Sequence, residues 1–376
     1  MKPMEGVLVL DFTQFLSGPS ASLRMADLGA EVVKVEQPTG DICRRMYTSN
    51  LLIDEDSSLF HIINRNKSGI SVDLKTEAGR NAIHKLIKRA DVLLINFRPE
   101  VGKRLALDYE TVHKINPRIV YGEVTGYGHE GVWSGRPGQD LLVQAVSGIC
   151  MANGNSNDIP TPIGLSVVDL VAGQQLVQGV MAGLIQTGIK GEGCLVQVSM
   201  LEAAMDLQFE EFTTFLNDDR TLPERSAVTH AGLYRDAPYG IYATKDGYIA
   251  IAAVPIPQLG ELLGCNQLTV YTEETEWSAK RDEMKAILAE HLRLKTTHDW
   301  LEILEKHDIW SAEVLNWDQL RKSEGFQQLG MVQKVKLQDG KVLELLRCPI
   351  TIDGEHFCSE KPAPKLGQDN ERFADA

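Results

Sequence analysis

Asp169 is the residue whose setting most invites chemistry. It stands alone among apolar and small neighbours in T-P-I-G-L-S-V-V-D-L-V-A-G-Q-Q-L-V-Q-G-V-M-A-G-L-I-Q-T, residues 161–187. A carboxylate so placed can attack a thioester or another activated carbonyl, provided something keeps it charged. Beyond it, Leu170, Gln174, Val177, Met181 and Leu184 recur at helical spacing, while Gly173, Gly179, Ala182 and Gly183 leave little side-chain bulk. The spacing predicts a helix that another backbone can approach closely. Asp169 is expected at its N-cap, where the free amides of the first turn and the helix dipole would favour the ionised form. Capping alone is the plainer role for an Asp in that position.

A second group of residues could hold an anion. Lys67, Lys75, Asn96, Arg98, Lys103, Arg104 and Arg136 are individually the solvated side chains expected on any surface. Gathered on one edge they would form a phosphate site, each charge-assisted bond contributing about 1.5–3 kcal/mol.

The elements that must position these residues alternate between strand and helix. Residues 6–12 (G-V-L-V-L-D-F) form an apolar run of buried-strand length, S-G-P at 17–19 punctuates it, 20–28 suits a helix stopped by Gly29, and 31–36 (E-V-V-K-V-E) is a second strand. The pattern repeats with a strand at 70–74, a helix at 76–90 and a strand at 92–95. Lys75 and Asn96 therefore fall just past the carboxyl ends of two strands, the edge at which open parallel sheets bind ligands. A nicotinamide dinucleotide is excluded as the expected ligand, because G-x-G-x-x-G is missing from the first turn and only Gly18 is present.

Composition agrees with an enzyme of globular type. At 376 residues two domains are the prior, with 43% apolar residues to fill a core. Lys and Arg number 38 against 52 Asp and Glu, a net charge of −14, which argues against general binding to nucleic acid or an anionic membrane. Six scattered cysteines with no CxxC suggest neither a zinc site nor a disulfide framework, and reduced thiols in a cytoplasmic protein are expected. No signal-peptide pattern opens the sequence, and no uninterrupted apolar run reaches the ~18 residues of a membrane span.

From end to end these residues resemble the class III coenzyme A transferases, a family that includes formyl-CoA transferase and the carnitine CoA-transferases. The resemblance rests on D-F-T-Q-F-L-S-G-P (11–19), L-G-A-E-V-V-K-V-E (28–36), N-R-N-K-S (64–68), D-L-K-T-E-A-G (73–79), A-D-V-L-L-I-N-F-R-P (90–99), G-Y-G-H-E-G (126–131) and G-R-P-G-Q-D (135–140). It continues through V-S-M-L-E-A-A (198–204), P-Y-G-I-Y-A-T-K-D-G-Y-I-A-I-A (238–252) and P-K-L-G-Q-D (364–369). Each piece is weak, and so many in one order are strong. The resemblance implies Asp169 as nucleophile, first forming a mixed anhydride with the acyl group and then an aspartyl-CoA thioester that the acceptor acid attacks. It implies CoA contacts at Lys75, Asn96, Arg98 and Arg104, with Lys103 and Arg136 beside them. Coenzyme A and acyl-CoA enter as substrates, with no permanently bound cofactor and no metal.

Two departures bear on the substrate. Where formyl-CoA transferase has a run of glycines, residues 252–260 read A-A-V-P-I-P-Q-L-G, and Pro255 and Pro257 would stiffen that loop. A glutamine used by that enzyme falls on Leu16, with Gln14 nearby. Both differences lean away from formyl-CoA:oxalate exchange and toward the carnitine-type branch. The α-methylacyl-CoA racemases share the fold and are the alternative reading, but they use a histidine in G-H-D where this chain has Gly138-Gln139-Asp140, and glutamine exchanges no proton near neutral pH. His129 sits in a different setting and reads as a surface or structural histidine. A non-catalytic CoA-binding relative is the third reading, against which the intact Asp169 speaks.

The expected architecture is α/β: a Rossmann-like large domain with an open, mostly parallel sheet over 1–216, a linker at 217–226, a small α+β domain over 227–333, and a return to the large domain over 334–376. In the small domain, 239–253 alternates as a hairpin around Asp246-Gly247, with helices at 278–292 and 297–306. A single helix is expected over 201–216. Trp310 and Trp317 read as core or dimer contacts. His230, Tyr234 and Tyr239 are candidates for the acceptor pocket. The resemblance implies an interlocked homodimer acting on acyl-CoA and carboxylic acids.

Overall fold

The structure, a computed structural model, describes residues 2–46, 51–337, 339–359 and 361–374. The chain divides into two compact units, one of Met1–Val143, Ser166–Leu207 and Gln328–Ala376, the other of Gln144–Leu165 and Gln208–Gln327. The second unit thus takes in Gln144–Leu165, which sequence pattern places in the large domain, and its later part begins at Gln208 rather than after a linker at 217–226.

The first unit is built on six strands: β1 (Leu8–Asp11), β2 (Glu31–Glu36), β3 (Ser68–Ser71), β4 (Val92–Ile95), β5 (Val120–Thr125) and β6 (Cys194–Ser199). They lie in the order β3-β2-β1-β4-β5-β6 and every neighbouring pair is parallel. Continuous aliphatic runs suit this sheet, because crossover helices cover both faces and no strand needs an alternating pattern. The run V-L-L-I of β4 is buried throughout. In the central register Leu10 lies between Val33 and Leu93. The strand order reverses between β1 and β4, the switch point at which such sheets open a crevice at their carboxyl ends.

Among the helices that frame the carboxyl edge of this sheet or cover its faces are α1 (Ser17–Asp27), α2 (Glu77–Ile87), α3 (Pro99–Arg104), α4 (Asp140–Ser147) and α5 (Val167–Lys190). By length and composition α5 could cross a membrane, a property that a search for uninterrupted apolar runs misses. Its apolar side is laid on the sheet instead. Val168, Ala172, Leu176, Val180 and Thr187 are buried along one face, adjoining the stripe that begins with Leu170 and Gln174, both of which are exposed. A Cβ on Gly122 of β5 would stand 3.1 Å from both Leu176 and Val180, and one on Gly183 would stand 2.8 Å from Val120, so glycine on each partner sets how closely helix and sheet pack.

The C-terminal segment finishes this unit. Asp369 accepts from the Gly69 amide at 2.7 Å and Asn370 from the Ser71 amide at 2.8 Å. These bonds close the otherwise open edge of β3, which explains why P-K-L-G-Q-D lies so far along the chain from the strand it serves.

The second unit holds an antiparallel sheet of β7 (Gly240–Ala243), β8 (Tyr248–Ile251) and β9 (Ser311–Glu313). The hairpin turns through Asp246-Gly247, as its alternation predicts, and the Asp246 carboxylate accepts from the Thr297 amide at 2.8 Å. Tyr242, Ile249, Leu259 and Trp300 lead its core. Pro255 and Pro257 do not stiffen a loop: they open helix α6 (Ile256–Leu263), where proline costs no backbone hydrogen bond. The helix expected over 201–216 is broken at Gln208 into Met200–Leu207 and Phe209–Asn217.

Candidate active site

Asp169 is not the N-cap of α5. Ser166 holds that position and Asp169 is the third helical residue, inside the first turn. The cap comes from elsewhere in the chain: one carboxylate oxygen of Asp140, at the start of α4, accepts from the amides of Val168 at 2.9 Å and Asp169 at 3.0 Å. Asp140 thereby takes the amide donors expected to serve Asp169. Its own charge lies close to the second carboxylate.

The half-buried Asp169 carboxyl is consequently pushed up to about 6, by burial first and by the Asp140 charge second. The expectation that the helix terminus would favour the ionised form is not met, since the value is raised above the ordinary one. Ser17 works in the opposite direction and favours the ionised form of Asp169. The approach that makes this possible depends on Gly173, one turn beyond Asp169, where a Cβ would lie 2.6 Å from the Ser17 carbonyl oxygen. Small residues on α5 do admit another backbone, as the sequence suggests, and that backbone is the first turn of α1.

Ser17 is held there by a buried charged network at the end of β1. The carboxylate of Asp11 accepts from the Thr13 amide at 3.0 Å, the Thr13 hydroxyl at 2.5 Å, the Ser22 hydroxyl at 2.5 Å and the Lys67 ammonium at 3.0 Å. Lys67 also donates to the Pro19 carbonyl at 3.1 Å and Asn64 at 2.8 Å, and Lys34 binds the Thr13 carbonyl and pairs with Asp41 at 2.7 Å. Although burial alone would raise it, the Asp11 carboxyl is held down at about 2 by Lys67 and Lys34; burial pulls Lys67 down to about 8. Lys67, expected among the exposed anion-binding residues, is fully buried and does structural work.

The other predicted residues lie along the carboxyl edge of the sheet. Lys75 is exposed in the turn after β3. Asn96 follows β4 and spans the switch point, accepting from the Gln14 amide at 2.8 Å and donating to the Gln14 carbonyl at 2.7 Å. Its amide group therefore fixes the loop that carries Ser17. Arg98 occupies the N-cap of α3, with Lys103 and Arg104 in its last turn, all three exposed. Arg136, also exposed, lies beyond β5 with its guanidinium 5.2 Å from the Trp133 ring. In that segment Gly126 and Gly138 pack backbone to backbone: a Cβ on Gly126 would lie 2.5 Å from the Gly138 Cα, so the turn leading to Asp140 tolerates no side chain there.

His129 is engaged at 2.8 Å with Glu123, which also accepts from Gln197 at 2.7 Å. In the second unit His230 accepts from the Ser226 amide at 3.0 Å and faces the Ala152 carbonyl at 3.0 Å, Tyr234 has a buried hydroxyl, and Tyr239 lies under Arg235. Trp310 and Trp317 are 70% and 85% exposed, which removes the core from their two expected settings.

The chain matches CoA-transferase family III over residues 4–370. It belongs to that family. Among curated relatives, it is 31% identical to the succinyl-CoA:glutarate CoA-transferase of Mus musculus over 98% of this chain and 85% of the mouse protein. It is 27% identical to the succinate–glutarate CoA-transferase of Agrobacterium fabrum over 97% and 93% of the two chains. A crystal structure of a CAIB/BAIF family protein from Brucella suis superposes with a TM-score of 0.85 at 26% identity, covering 100% of this chain and 99% of that one. This family III protein is thus an enzyme that moves CoA between acyl-CoA thioesters and carboxylic acids. Sequence reasoning misses Ser17 and Asp140 as site residues, although both lie within motifs that carry the family resemblance, S-G-P and G-R-P-G-Q-D.

Proposed function

We propose that Asp169 is the nucleophile of this CoA transfer. Its carboxylate attacks the acyl-CoA carbonyl, the C–S bond breaks, and a mixed anhydride and CoA thiolate result. The thiolate then attacks the Asp169 carbonyl carbon, releasing the donor acid and leaving an aspartyl-CoA thioester. The acceptor carboxylate displaces CoA from that thioester, and the returning thiolate takes the new acyl group and frees Asp169. Covalent storage keeps the thioester energy from water.

The observation that carries this reading is the half-buried Asp169 carboxyl at the start of α5, with its value near 6. At neutral pH such a group is mostly ionised, yet less stabilised than a solvated carboxylate, and so better matched to attack. Lys75, Asn96, Arg98, Lys103, Arg104 and Arg136 are proposed to receive the nucleotide end of CoA along the sheet's carboxyl edge. His230, Tyr234 and Tyr239 are proposed for the acceptor side, in a cytoplasmic homodimer with no permanently bound cofactor. The names of the mouse and Agrobacterium relatives make succinyl-CoA with glutarate the first pair to assay.

Incubation with a panel of acyl-CoA donors, followed by peptide mass mapping, tests the proposal. An acyl or CoA mass on the Asp169 peptide is expected, converting to a hydroxamate with hydroxylamine and absent in Asp169→Ala. Normal turnover by Asp169→Ala would end it.

A further inference from the structure

We infer that Asp140 is a positioning residue for the CoA transfer: its carboxylate, bonded to the first turn of α5, fixes the backbone that carries Asp169 and sets a negative charge beside the attacking group. The inference rests on the reading of Asp169 as nucleophile. Asp140 is 6% exposed, and one of its oxygens accepts from the Val168 amide at 2.9 Å and from the Asp169 amide at 3.0 Å. The second of these bonds is made to the nucleophile's own residue, so any movement of Asp140 passes directly to Asp169.

Holding the helix does not by itself call for this acid. Ser166 occupies the N-cap and is among the residue types that cap best, yet its side chain makes no cap bond. A local serine would satisfy a first-turn amide without charge, whereas the distant carboxylate brings a second anion to a helix terminus that already carries Asp169. Two consequences separate the distant cap from a local one. The first is placement. Asp140 follows Gly138, whose backbone packs so closely on Gly126, at the end of β5, that neither position admits a Cβ, and the Gly126 carbonyl accepts from the Leu201 amide at 3.1 Å. Helix α5 also rests on β5 through Gly122. The start of α5 is therefore tied to β5 at two places, and Asp169 keeps its position while its side chain is acylated and released.

The second consequence is charge. When an Asp169 oxygen bonds to the acyl carbon and the C–S electron pair leaves on sulfur, the negative charge departs from beside Asp140 to the CoA thiolate. Repulsion felt by the free carboxylate is absent from the anhydride and from the aspartyl-CoA thioester, so Asp140 raises the free attacking group relative to both adducts. Of the elements packed about this turn, α4 supplies the charge that opposes ionisation of Asp169, and α1 presents the uncharged Ser17. On the helix Met200–Leu207, Asp206 accepts from Gln175, further along α5, at 2.6 Å.

The test compares Asp140→Ala with Asp140→Asn in the full-length enzyme. Alanine removes both the cap and the charge, whereas asparagine keeps an oxygen for the two amides and removes the charge alone. In folded Asp140→Ala, kcat is expected to fall about 100-fold, as for a reacting group displaced by about 1 Å, with KM for acyl-CoA within about twofold of wild type. Asp140→Asn should recover most of that loss and show the charge effect by itself. Its acidic limb of kcat/KM should move to lower pH, because an anion opposing ionisation of Asp169 is gone, and quantitative mass mapping should find a smaller share of enzyme held as an Asp169 adduct. Wild-type kcat in folded Asp140→Ala, or an acidic limb left in place by Asp140→Asn, would overturn the inference; if the alanine variant does not fold, the asparagine variant decides alone. If the wild-type enzyme forms no adduct on Asp169, the nucleophile assignment itself fails, and the two failures are distinguishable.

Discussion

At the scale of single residues, the two carboxylates at the start of α5 divide the work between them. Asp140 satisfies helix amides, and Asp169, the proposed nucleophile, carries a cost in stability that its raised pKa makes measurable. Because the folded-state value is near 6 and the ordinary value is 3.8, the native state binds this proton more tightly than the unfolded chain does. The penalty on the ionised native form is full above about 6 and absent below the ordinary value. Asp169→Asn is therefore expected to abolish transfer while raising stability at pH 8 by on the order of 1–2 kcal/mol, allowing for solvent at a half-buried group, with little gain at pH 4. Urea unfolding at the two pH values checks this. In the wild type, kcat/KM should fall as pH drops through about 6, since under the proposed role of Asp169 only the carboxylate attacks. Asn96 offers a second case: Asn96→Ala removes two bonds to the Gln14 backbone and should destabilise by about 1–2 kcal/mol. Under the proposed CoA role its KM for acyl-CoA should also rise, which steady-state kinetics on a folded sample would show.

At the scale of elements, the site is the meeting of two helix N-termini, α1 and α5, above the end of β1. Gly173→Ala is expected to push the first turn of α1 away from Asp169, because the new methyl meets the Ser17 carbonyl at 2.6 Å. A loss in kcat with acyl-CoA binding retained, read by kinetics and isothermal titration, would be the signature. Lys67→Met tests the support beneath: it leaves a buried carboxylate facing an apolar side chain, and removing one partner of a buried pair costs about 3–5 kcal/mol. Much of this level is legible in the sequence. Strands 31–36 and 92–95 can be read to the residue because aliphatic runs of strand length are bounded by glycine, alanine or polar residues. What local pattern cannot contain is a partner distant in the chain. The cap on α5 comes from Asp140, the fixing of Gln14 from Asn96, and the neutralisation of Lys67 from Asp11. For the same reason local pattern puts Lys67 on the surface, and it sets the buried stripe of α5 beside the true one, since the glycines and the leucines of that helix fit helical spacing equally well.

At the scale of the whole molecule, each unit leaves large apolar side chains uncovered. On α5 Ile185 and Ile189 are 65% and 79% exposed, and in the second unit Phe209 is 69% exposed in addition to Trp317. Isolated exposed apolar residues are ordinary, but this many large ones on a chain with an overall charge of −14 calls for a covering surface. The proposed homodimer supplies one, and its interlocked form makes a prediction that ordinary association does not. Two rings of chain that pass through each other cannot part by dilution, because separation requires one ring to open. Light scattering should therefore give twice the 41.6 kDa chain mass even at nanomolar concentration. Mixing tagged and untagged enzyme should yield no mixed dimer until both are unfolded and refolded together. Mixed dimers forming under native conditions would point to a simple docked interface, and a monomer active in transfer would remove the dimer from the mechanism, since no group on a second chain would then be needed to complete the site around Asp169.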